Sequence, residues 1–375
     1  MIQRILDQTV QQRLFGGKTI LILGPRQVGK TTLARRLSNL YPDQILWLNG
    51  DDPETVQILQ KASLSRLKSL VGTNKLIIID EAQRIPGIGT TLKLMHDNLP
   101  ERQVLVTGSS ALDLSEQTSE PLTGRKWEYL MLPLSFGELV AHHGLINERG
   151  MRNHRLVFGS YPEIVNSPGN ERELLNLLSN AYLYKDLFRL EQLQKPALLE
   201  NIVRALAFQL GSEVSYHELG QLVGAAPQTI EKYIDLLEKA YIVFRLPALS
   251  RNQPNEIRKS RKIYFYDNGV RNAVIGNFSV LESRTDVGPL WENYLISERR
   301  KQIEYARNFA RSYFWRTVSQ QEIDYVEELD GQFRAFEFKW SEKVKVRFPA
   351  AFMEKYAIQE TLVVTPENYD EFLLA

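Results

Sequence analysis

The chain has 375 residues, a formal net charge of +1 at pH 7 and no cysteine. Hydrophobic residues make up 43% of it and charged residues 24%, which is typical of a globular protein and excludes a disordered or fibrous chain. Without cysteine there can be no disulfide, thiolate zinc site, iron–sulfur cluster or cysteine nucleophile. The small net charge neither requires nor excludes nucleic acid, so any basic surface must be local.

Neither the histidines nor the apolar segments indicate a metal centre or a membrane anchor. The histidines lack metal-ligand spacing and are interpreted as solvated surface residues. They are His96, His142, His143, His154 and His217. The first ten residues show no secretory signal, and no apolar run approaches the roughly 18 residues needed to cross a bilayer. We therefore expect a cytoplasmic protein with no membrane contact.

Residues 18–134 alternate short apolar runs with helical stretches. Each run is too short for a helix and is bounded by Gly, Asp, Asn or Pro, which indicates a buried strand. The predicted strands are Thr19–Leu23, Gln44–Leu48, Leu76–Ile79, Val104–Thr107 and Glu128–Leu132. Strands that alternate with helices predict an α/β fold with a parallel sheet.

The first predicted strand leads into a complete GxxxxGK[ST] motif, which then opens a predicted helix, Thr31–Leu40. Backbone N–H groups of such a loop wrap phosphates, and the helix N-terminus adds positive potential. Lys30 would reach the β and γ oxygens, and the Thr31 hydroxyl would coordinate magnesium. The sequence therefore predicts ATP and Mg²⁺ as cofactors. The predicted nucleotide-binding residues are Gly24, Pro25, Arg26, Gln27, Val28, Gly29, Lys30, Thr31 and Thr32.

Two acidic residues complete this predicted site. Asp80 ends the apolar run Leu76–Ile79, so it should lie at the carboxyl edge of the sheet as a second magnesium ligand beside Thr31. Glu81 follows at once and is the candidate base that polarises the attacking water. The alternative is a buried strand that ends in acidic residues without a catalytic role.

Hydroxyl and guanidinium groups supply further candidates. Thr107 or Ser109, after the fourth apolar run, could sense the γ-phosphate and position the water, although a plain Gly-Ser turn is the alternative. Arg125 could act as an arginine finger in cis or from a neighbouring subunit of a homo-oligomer. Isolated arginines usually form surface ion pairs. Arg26 would orient a domain interface or an adjacent carboxylate.

Residues 213–266 predict two helices joined by a turn, followed by a β-ribbon. The second helix, Pro227–Lys239, is net acidic and suits a DNA groove poorly. The loop of the ribbon is basic, so contact with DNA phosphates through this wing is one prediction and packing between domains is the other. The basic residues of the wing are Arg251, Arg258, Lys259, Arg261 and Lys262.

Residues 322–340 predict a hairpin that brings charged side chains together. Alternation puts Glu337 and Lys339 on one face of a strand, and the preceding strand brings Asp324 alongside. Two carboxylates and a lysine can bind magnesium, position a water and stabilise charge on a phosphodiester. A solvent-facing strand with alternating charges is the alternative.

These motifs together resemble the prokaryotic AAA-like P-loop ATPases that carry a C-terminal winged helix and a restriction-endonuclease-like (PD-(D/E)xK) domain. The resemblance also includes Leu122–Arg125, Leu132–Glu138, Gly159–Pro162 and Tyr182–Leu187. It implies that Asp324, Glu337 and Lys339 belong to a nuclease-like core. It also implies that Glu292, on the predicted helix Leu290–Arg300, is the acidic residue of that core's first helix.

The resemblance implies four segments: an ATPase domain at 1–145, a helical lid or connector at 146–205, a winged helix at 206–270 and a restriction-endonuclease-like α/β domain at 271–375. The expected function is a magnesium-dependent ATPase whose nucleotide state controls a DNA-contacting C-terminal half that could also cleave DNA. The alternative is an ATP-gated regulatory or signalling protein whose C-terminal domains only bind a protein or DNA.

Overall fold

The computed structural model describes residues 2–109, 116–179, 195–250, 261–317, 319–344 and 346–375. The chain forms two compact units. The first is Met1–Leu134 with Lys239–Tyr241, and the second is Ser135–Glu238 with Ile242–Ala375. No helix within the described ranges combines the length and the hydrophobicity that a bilayer crossing needs.

The first unit is built on a parallel sheet of five strands in the order β2-β3-β4-β1-β5, which confirms the predicted parallel α/β sheet. Its strands are β1 (Thr19–Leu23), β2 (Ile45–Asn49), β3 (Leu76–Asp80), β4 (Gln103–Gly108) and β5 (Lys126–Leu130). The last strand lies two residues earlier than the predicted Glu128–Leu132. Its pairing with β1, from Thr19 opposite Lys126 to Leu23 opposite Leu130, sets its ends more strongly than its own hydrophobicity does.

The strand order decides where the polar ends of the strands meet. The central strands β1, β3 and β4 are buried along their whole length. Because all the strands are parallel, the residues after β1, β3 and β4 share one carboxyl edge of the sheet. The helices of this unit are α1 (Ile5–Arg13), α2 (Lys30–Ser38), α3 (Pro53–Gln60), α4 (Leu64–Val71), α5 (Ile88–Asn98) and α6 (Glu116–Ser119).

The second unit begins with helices. They are α7 (Phe136–His143), α8 (Leu145–Gly150), α9 (Arg152–Phe158), α10 (Pro162–Asn166), α11 (Glu171–Ser179), α12 (Pro196–Phe208), α13 (Tyr216–Val223) and α14 (Pro227–Lys239). The Ser135 hydroxyl caps α7 by accepting from the Glu138 N–H, and the Glu138 carboxylate accepts from the Ser135 N–H. An antiparallel pair, β6 (Val243–Pro247) and β7 (Arg261–Phe265), follows α14. The predicted wing residues Arg251, Arg258 and Lys259 and the segment Tyr182–Leu187 lie outside the described residues.

A four-stranded sheet in the order β11-β10-β9-β8 forms the rest of this unit. Antiparallel pairing joins β8 to β9 and β9 to β10, whereas β10 and β11 are parallel. Its strands are β8 (Arg311–Arg316), β9 (Glu322–Leu329), β10 (Gln332–Phe338) and β11 (Ile358–Val364). The accompanying helices are α15 (Asn268–Ile275), α16 (Val287–Ala306), α17 (Ala350–Lys355) and α18 (Tyr369–Leu374).

Candidate functional site

The loop between β1 and α2 is curled by its glycines. Gly24 has φ +145°, and a Cβ atom there would lie 1.9 Å from the Met131 carbonyl oxygen, so no other residue fits without moving the backbone. Gly29, with φ +100°, is the residue from which α2 starts. The curl places the first turn of α2 directly after the loop, as anion binding at a helix N-terminus requires.

Lys30 is the first residue of α2 and is buried. Its ammonium donates to the backbone carbonyls of Gly24, at 2.8 Å, and Pro25, at 2.6 Å. Burial lowers the pKa of Lys30 to about 8, although the charges of Glu81 and Asp80 oppose the shift and that of Arg26 adds to it. Since its hydrogen-bond partners are neutral, the charge of Lys30 remains available to an anionic ligand.

The predicted magnesium ligands meet in the structure. The Thr31 hydroxyl donates to the Asp80 carboxylate, with distances of 3.1 and 3.0 Å to its two oxygens. Magnesium is commonly held by one or two protein oxygens together with substrate phosphates, so this hydroxyl and carboxylate fit the ion. Thr107 also donates to Asp80 and accepts a hydrogen bond from the Glu81 N–H at 3.1 Å. Thr107 therefore orients the acidic pair.

Glu81 is held in an unusual backbone conformation, with φ +51° and ψ +41°. Left-handed backbone is uncommon for residues other than glycine and is often found at functional sites. Gln83 donates to the Glu81 carboxylate at 2.5 Å and to the Ser109 hydroxyl at 2.8 Å. Ser109 lies 3.4 Å from the same carboxylate oxygen. Gln83 therefore joins the base candidate to the predicted sensor, a link missing from the sequence prediction.

Arg4 is a second residue that no motif indicated. It is buried, and its guanidinium donates to the carbonyls of Val28, at 2.5 Å, and Leu132, at 2.6 Å. Its N–H bonds the Asp7 carboxylate, which in turn pairs with Arg36 of α2 at 2.6 Å. Arg4, which precedes the first strand, thus holds the phosphate loop through bonds to backbone carbonyls. Any residue can supply a backbone carbonyl, so these contacts leave no pattern in the sequence.

The structure contradicts a cis arginine finger at Arg125. The Arg125 carbonyl accepts a hydrogen bond from Thr19 N–H at the start of β1, whereas the phosphate loop follows the end of β1. Five strand residues separate these edges by about 16 Å, beyond the reach of an arginine side chain. The guanidinium instead pairs with Asp97 at 2.8 Å, and the side chain is 37% exposed. The trans role stays a prediction.

The second unit brings Asp324, Glu337 and Lys339 together. Tyr325 pairs with Phe336 across β9 and β10, so Asp324 and Glu337 occupy facing positions. The Lys339 ammonium lies 3.1 Å from Asp324 and 2.7 Å from Glu337. Burial and the charge of Asp324 raise the pKa of Glu337 to about 7, against the pull of Lys339. These three residues form an acid–lysine triad in which the ammonium already bridges both carboxylates.

Glu292, on α16, is hydrogen-bonded by residues of β7 and not by the acid–lysine triad. It accepts hydrogen bonds from Lys262, at 3.1 Å, and from Tyr264, both of β7. Burial raises the pKa of Glu292, as does the charge of Asp324, while Lys262 opposes the shift. In the part of the chain that the structure describes, no group of three or more acidic or histidine side chains could hold a metal ion. Asp324 and Glu337 alone would hold Mg²⁺ only together with water or substrate oxygens.

Lys262 is wrongly predicted as a phosphate contact of the wing. It is 2% exposed, and its ammonium lies 3.1 Å from Glu292 and 2.6 Å from Glu322. Burial lowers the pKa of Lys262, but the two carboxylates raise it by more, so the pKa lies above its usual value. Alternation along β7 points the Lys262 side chain into the unit. The run of basic residues at 258–262 does not reveal this in the sequence.

Arg261, its neighbour, stacks over the Tyr216 ring at 4.3 Å and donates to the Tyr216 hydroxyl at 2.7 Å. The acidic residues of α14 also have partners, because Arg245 pairs with Asp235, at 2.6 Å, and with Glu238. The acidic face of that helix is thus partly neutralised by the adjoining strand β6.

The comparisons with known proteins agree with the geometry of the first unit. Residues 16–140 match the family model of an AAA domain, so this unit is a nucleotide-binding domain of the P-loop ATPase class. Residues 151–280 and 287–373 match two domains of unknown function, DUF8612 and DUF4143.

Over 339 residues the chain is 29% identical to an uncharacterized protein of Mycobacterium tuberculosis, a match that covers 88% of this chain and 72% of that protein. An uncharacterized protein of Methanocaldococcus jannaschii is 21% identical, with coverage of 80% and 70%. The large subunit of replication factor C from Methanosarcina acetivorans is 32% identical over 20% of this chain and 13% of its own length. Among solved structures, the RuvB Holliday junction branch migration motor of Thermotoga maritima is 15% identical, with a TM-score of 0.34 and coverage of 66% and 90%.

Proposed function

We propose that the first unit hydrolyses ATP in the presence of Mg²⁺. The proposal is carried by one observation: Lys30, Thr31, Asp80 and Glu81 converge at the carboxyl edge of the parallel sheet. The lysine would bind phosphate oxygens in exchange for the carbonyls of Gly24 and Pro25. Thr31 and Asp80 would hold the magnesium ion, which neutralises charge on the phosphates.

We propose Glu81 as the residue that activates water. Its carboxylate is half-buried and is oriented by Gln83 and Ser109, while its N–H is tied to Thr107. The carboxylate would accept the proton of the attacking water, and Ser109 with Gln83 would fix the direction from which it does so. The left-handed backbone at Glu81 turns the residue out of the strand that delivers Asp80.

A phosphate-release assay tests the proposal. Wild-type protein should release phosphate from ATP only with Mg²⁺. Asp80→Asn should need more Mg²⁺, and Glu81→Gln should bind ATP without turnover, because the amide keeps the shape and loses the base. Turnover by Glu81→Gln at the wild-type rate would remove Glu81 from the role of base.

Arg125 is proposed to complete the site of a neighbouring subunit, since its own loop is out of reach. A homo-oligomer with ATP is then required. Mixing Arg125→Ala with Glu81→Gln protein should restore part of the turnover, because some shared sites receive both intact residues. A mixture without turnover, or a monomer in the presence of ATP, would exclude the trans role.

The second unit is proposed to combine a winged helix with a restriction-endonuclease-like domain. The succession α13, α14, β6 and β7, with an isolated bridge from Glu213 to Lys262, supports the first. A helix, three antiparallel strands, a helix and a parallel fourth strand support the second. We propose that this half contacts DNA under the control of the nucleotide state.

Phosphodiester cleavage is a second candidate function, carried by the convergence of Asp324, Glu337 and Lys339. Against it stands the Lys339 ammonium, which already bridges the two carboxylates that a divalent ion would need. A docking role for this half is the competing function. Incubation of plasmid, single-stranded and branched DNA with Mg²⁺ or Mn²⁺ separates them. Nicking that vanishes in Lys339→Ala supports cleavage, and intact DNA under every condition supports docking.

A further inference from the structure

We propose that Arg4 is a positioning residue of the nucleotide site, which orients a backbone N–H of the phosphate loop toward the phosphates of ATP. Its guanidinium bonds two backbone carbonyls, Val28 in the loop and Leu132 after β5. The inference rests on the proposed binding of ATP and adds a residue that precedes the phosphate-loop motif. It requires no contact between Arg4 and the nucleotide itself.

The bond to Val28 sets the direction of the peptide unit that joins Val28 to Gly29. One terminal nitrogen of Arg4 donates to the Val28 carbonyl at 2.5 Å. The described residues contain no cis peptide bond, and the C=O and N–H of a trans peptide unit point in opposite directions. Because the carbonyl points toward Arg4, the Gly29 N–H points away from it.

The backbone donors at the start of α2 are unpaired within the protein. In the part of the chain that the structure describes, neither the Gly29 N–H nor the Lys30 N–H has a hydrogen-bond acceptor. The Leu33 N–H, by contrast, already bonds the Gly29 carbonyl at 2.9 Å. Unpaired donors at a helix N-terminus are the groups that bind phosphate oxygens. Arg4 therefore fixes the direction of a donor that the phosphates would use.

The second bond of Arg4 fixes the guanidinium itself. Its other terminal nitrogen donates to the Leu132 carbonyl at 2.6 Å. The preceding residue, Met131, donates its N–H to the Leu23 carbonyl at 2.7 Å, so this acceptor is tied to the strand that leads into the loop. A lysine has one terminal nitrogen and ends one bond sooner, so it cannot reproduce the planar fork that spans the two carbonyls.

The packing of α1 holds Arg4 in place before a ligand binds. Arg4 is 6% exposed, and Leu6 and Val10 of α1 are buried. The Arg4 N–H donates to the Asp7 carboxylate at 3.2 Å, and Asp7 also pairs with Arg36 of α2 at 2.6 Å. Because the fold already orders the Arg4 side chain, nucleotide binding loses no further side-chain entropy there.

Arg4→Lys tests the proposal through steady-state kinetics with ATP and Mg²⁺. The KM for ATP should rise about ten-fold, the size of one charged hydrogen bond, while kcat stays within about two-fold. The loop holds the phosphates equally in the ground state and the transition state, so its loss raises KM alone. A residue that only stabilised the fold would lower kcat, through the amount of active protein, and leave KM unchanged. Inorganic tripolyphosphate, which lacks the base, should displace a fluorescent ATP analogue from wild type at about ten-fold lower concentration than its binding to Arg4→Lys requires.

Arg13→Lys is the matched control, because Arg13 is an exposed arginine of the same helix, α1. It should keep the KM and the tripolyphosphate affinity of wild type. Wild-type values of both in Arg4→Lys would overturn the proposal, as would a lower kcat at unchanged KM. Wild-type protein that binds ATP without hydrolysing it would contradict the proposed ATPase but not this inference, which the tripolyphosphate affinities then decide. No binding of ATP by wild type would contradict both.

Discussion

Each of the two units contains a buried lysine, Lys30 in the first and Lys262 in the second, but their ammonium groups have different partners. Lys30 in the first unit donates to two backbone carbonyls, and burial lowers its pKa to about 8. Lys262 in the second unit lies between Glu292 and Glu322, and its pKa is raised. Lys30, held by neutral groups, retains its charge for an anionic ligand, whereas the charge of Lys262 is matched by its carboxylate partners. The contrast supports ligand binding at the first site and a structural role for Lys262.

The largest expected effect would come from removing Lys262. In Lys262→Met, Glu292 and Glu322 lose their shared cation, and the free energy of unfolding should fall by about 3 kcal/mol. Urea denaturation followed by circular dichroism measures this. Lys343→Met, at an exposed position, is the control and should change stability by less than about 0.5 kcal/mol. Wild-type stability in Lys262→Met would contradict the structural role.

Lys30→Ala should lower the affinity for ATP and leave stability unchanged, the reverse of Lys262→Met. Its affinity for ATP should fall by about 100-fold, because charge-assisted bonds to the phosphates are lost. The urea midpoint should stay near that of wild type, since no carboxylate loses a bonded partner. Titration with a fluorescent ATP analogue provides the measurement, with Lys75→Ala as the exposed control. Undiminished affinity would remove the phosphate-loop assignment.

Gln83→Ala tests whether Gln83 orients Glu81. The substitution releases Glu81 and Ser109 from their shared hydrogen-bond partner. Steady-state turnover should drop by about ten-fold while ATP affinity stays within about two-fold, because the glutamine acts on the base and not on the phosphates. Gln57→Ala is the control at an exposed position of α3. Parallel losses of affinity and turnover would show that Gln83 supports the loop instead.

The smallest effect is a dependence of ATP affinity on pH. In the free protein Lys30 loses its proton near pH 8, whereas bound phosphates hold the proton on. Affinity should therefore be full below that pH and decline above it, by about four-fold between pH 7 and pH 8.5. Lys30→Arg should bind ATP without this decline, because arginine stays charged. A flat wild-type profile would mean that the loop does not lower the pKa of Lys30.

The two sites also differ in how far sequence alone describes them. Contiguous motifs predicted the neighbourhood of Lys30, Thr31 and Asp80, because a parallel sheet brings successive strand ends to one edge. Alternation along a hairpin likewise predicted that Asp324 faces Glu337. The partners of Lys262 come from β9 and α16, and no local pattern encodes that choice.

Position within an element explains the remaining errors. The prediction of Arg125 as a cis finger is wrong because the register of β5 places Arg125 at the edge of the sheet opposite the phosphate loop. Gln83 was missed because its role depends on the tight turn after Glu81, which carries a left-handed residue that sequence does not reveal. These features follow from strand register and backbone conformation, which composition and periodicity do not determine.

The nucleotide bound to Glu81→Gln shows whether Glu81 is needed for hydrolysis. Wild-type and variant protein are incubated with ATP and Mg²⁺, separated rapidly from free nucleotide, and denatured for chromatography of what was bound. We expect ADP on wild type and ATP on Glu81→Gln, in comparable amounts. ADP on both proteins, or no nucleotide on wild type, would contradict hydrolysis at this site by Glu81.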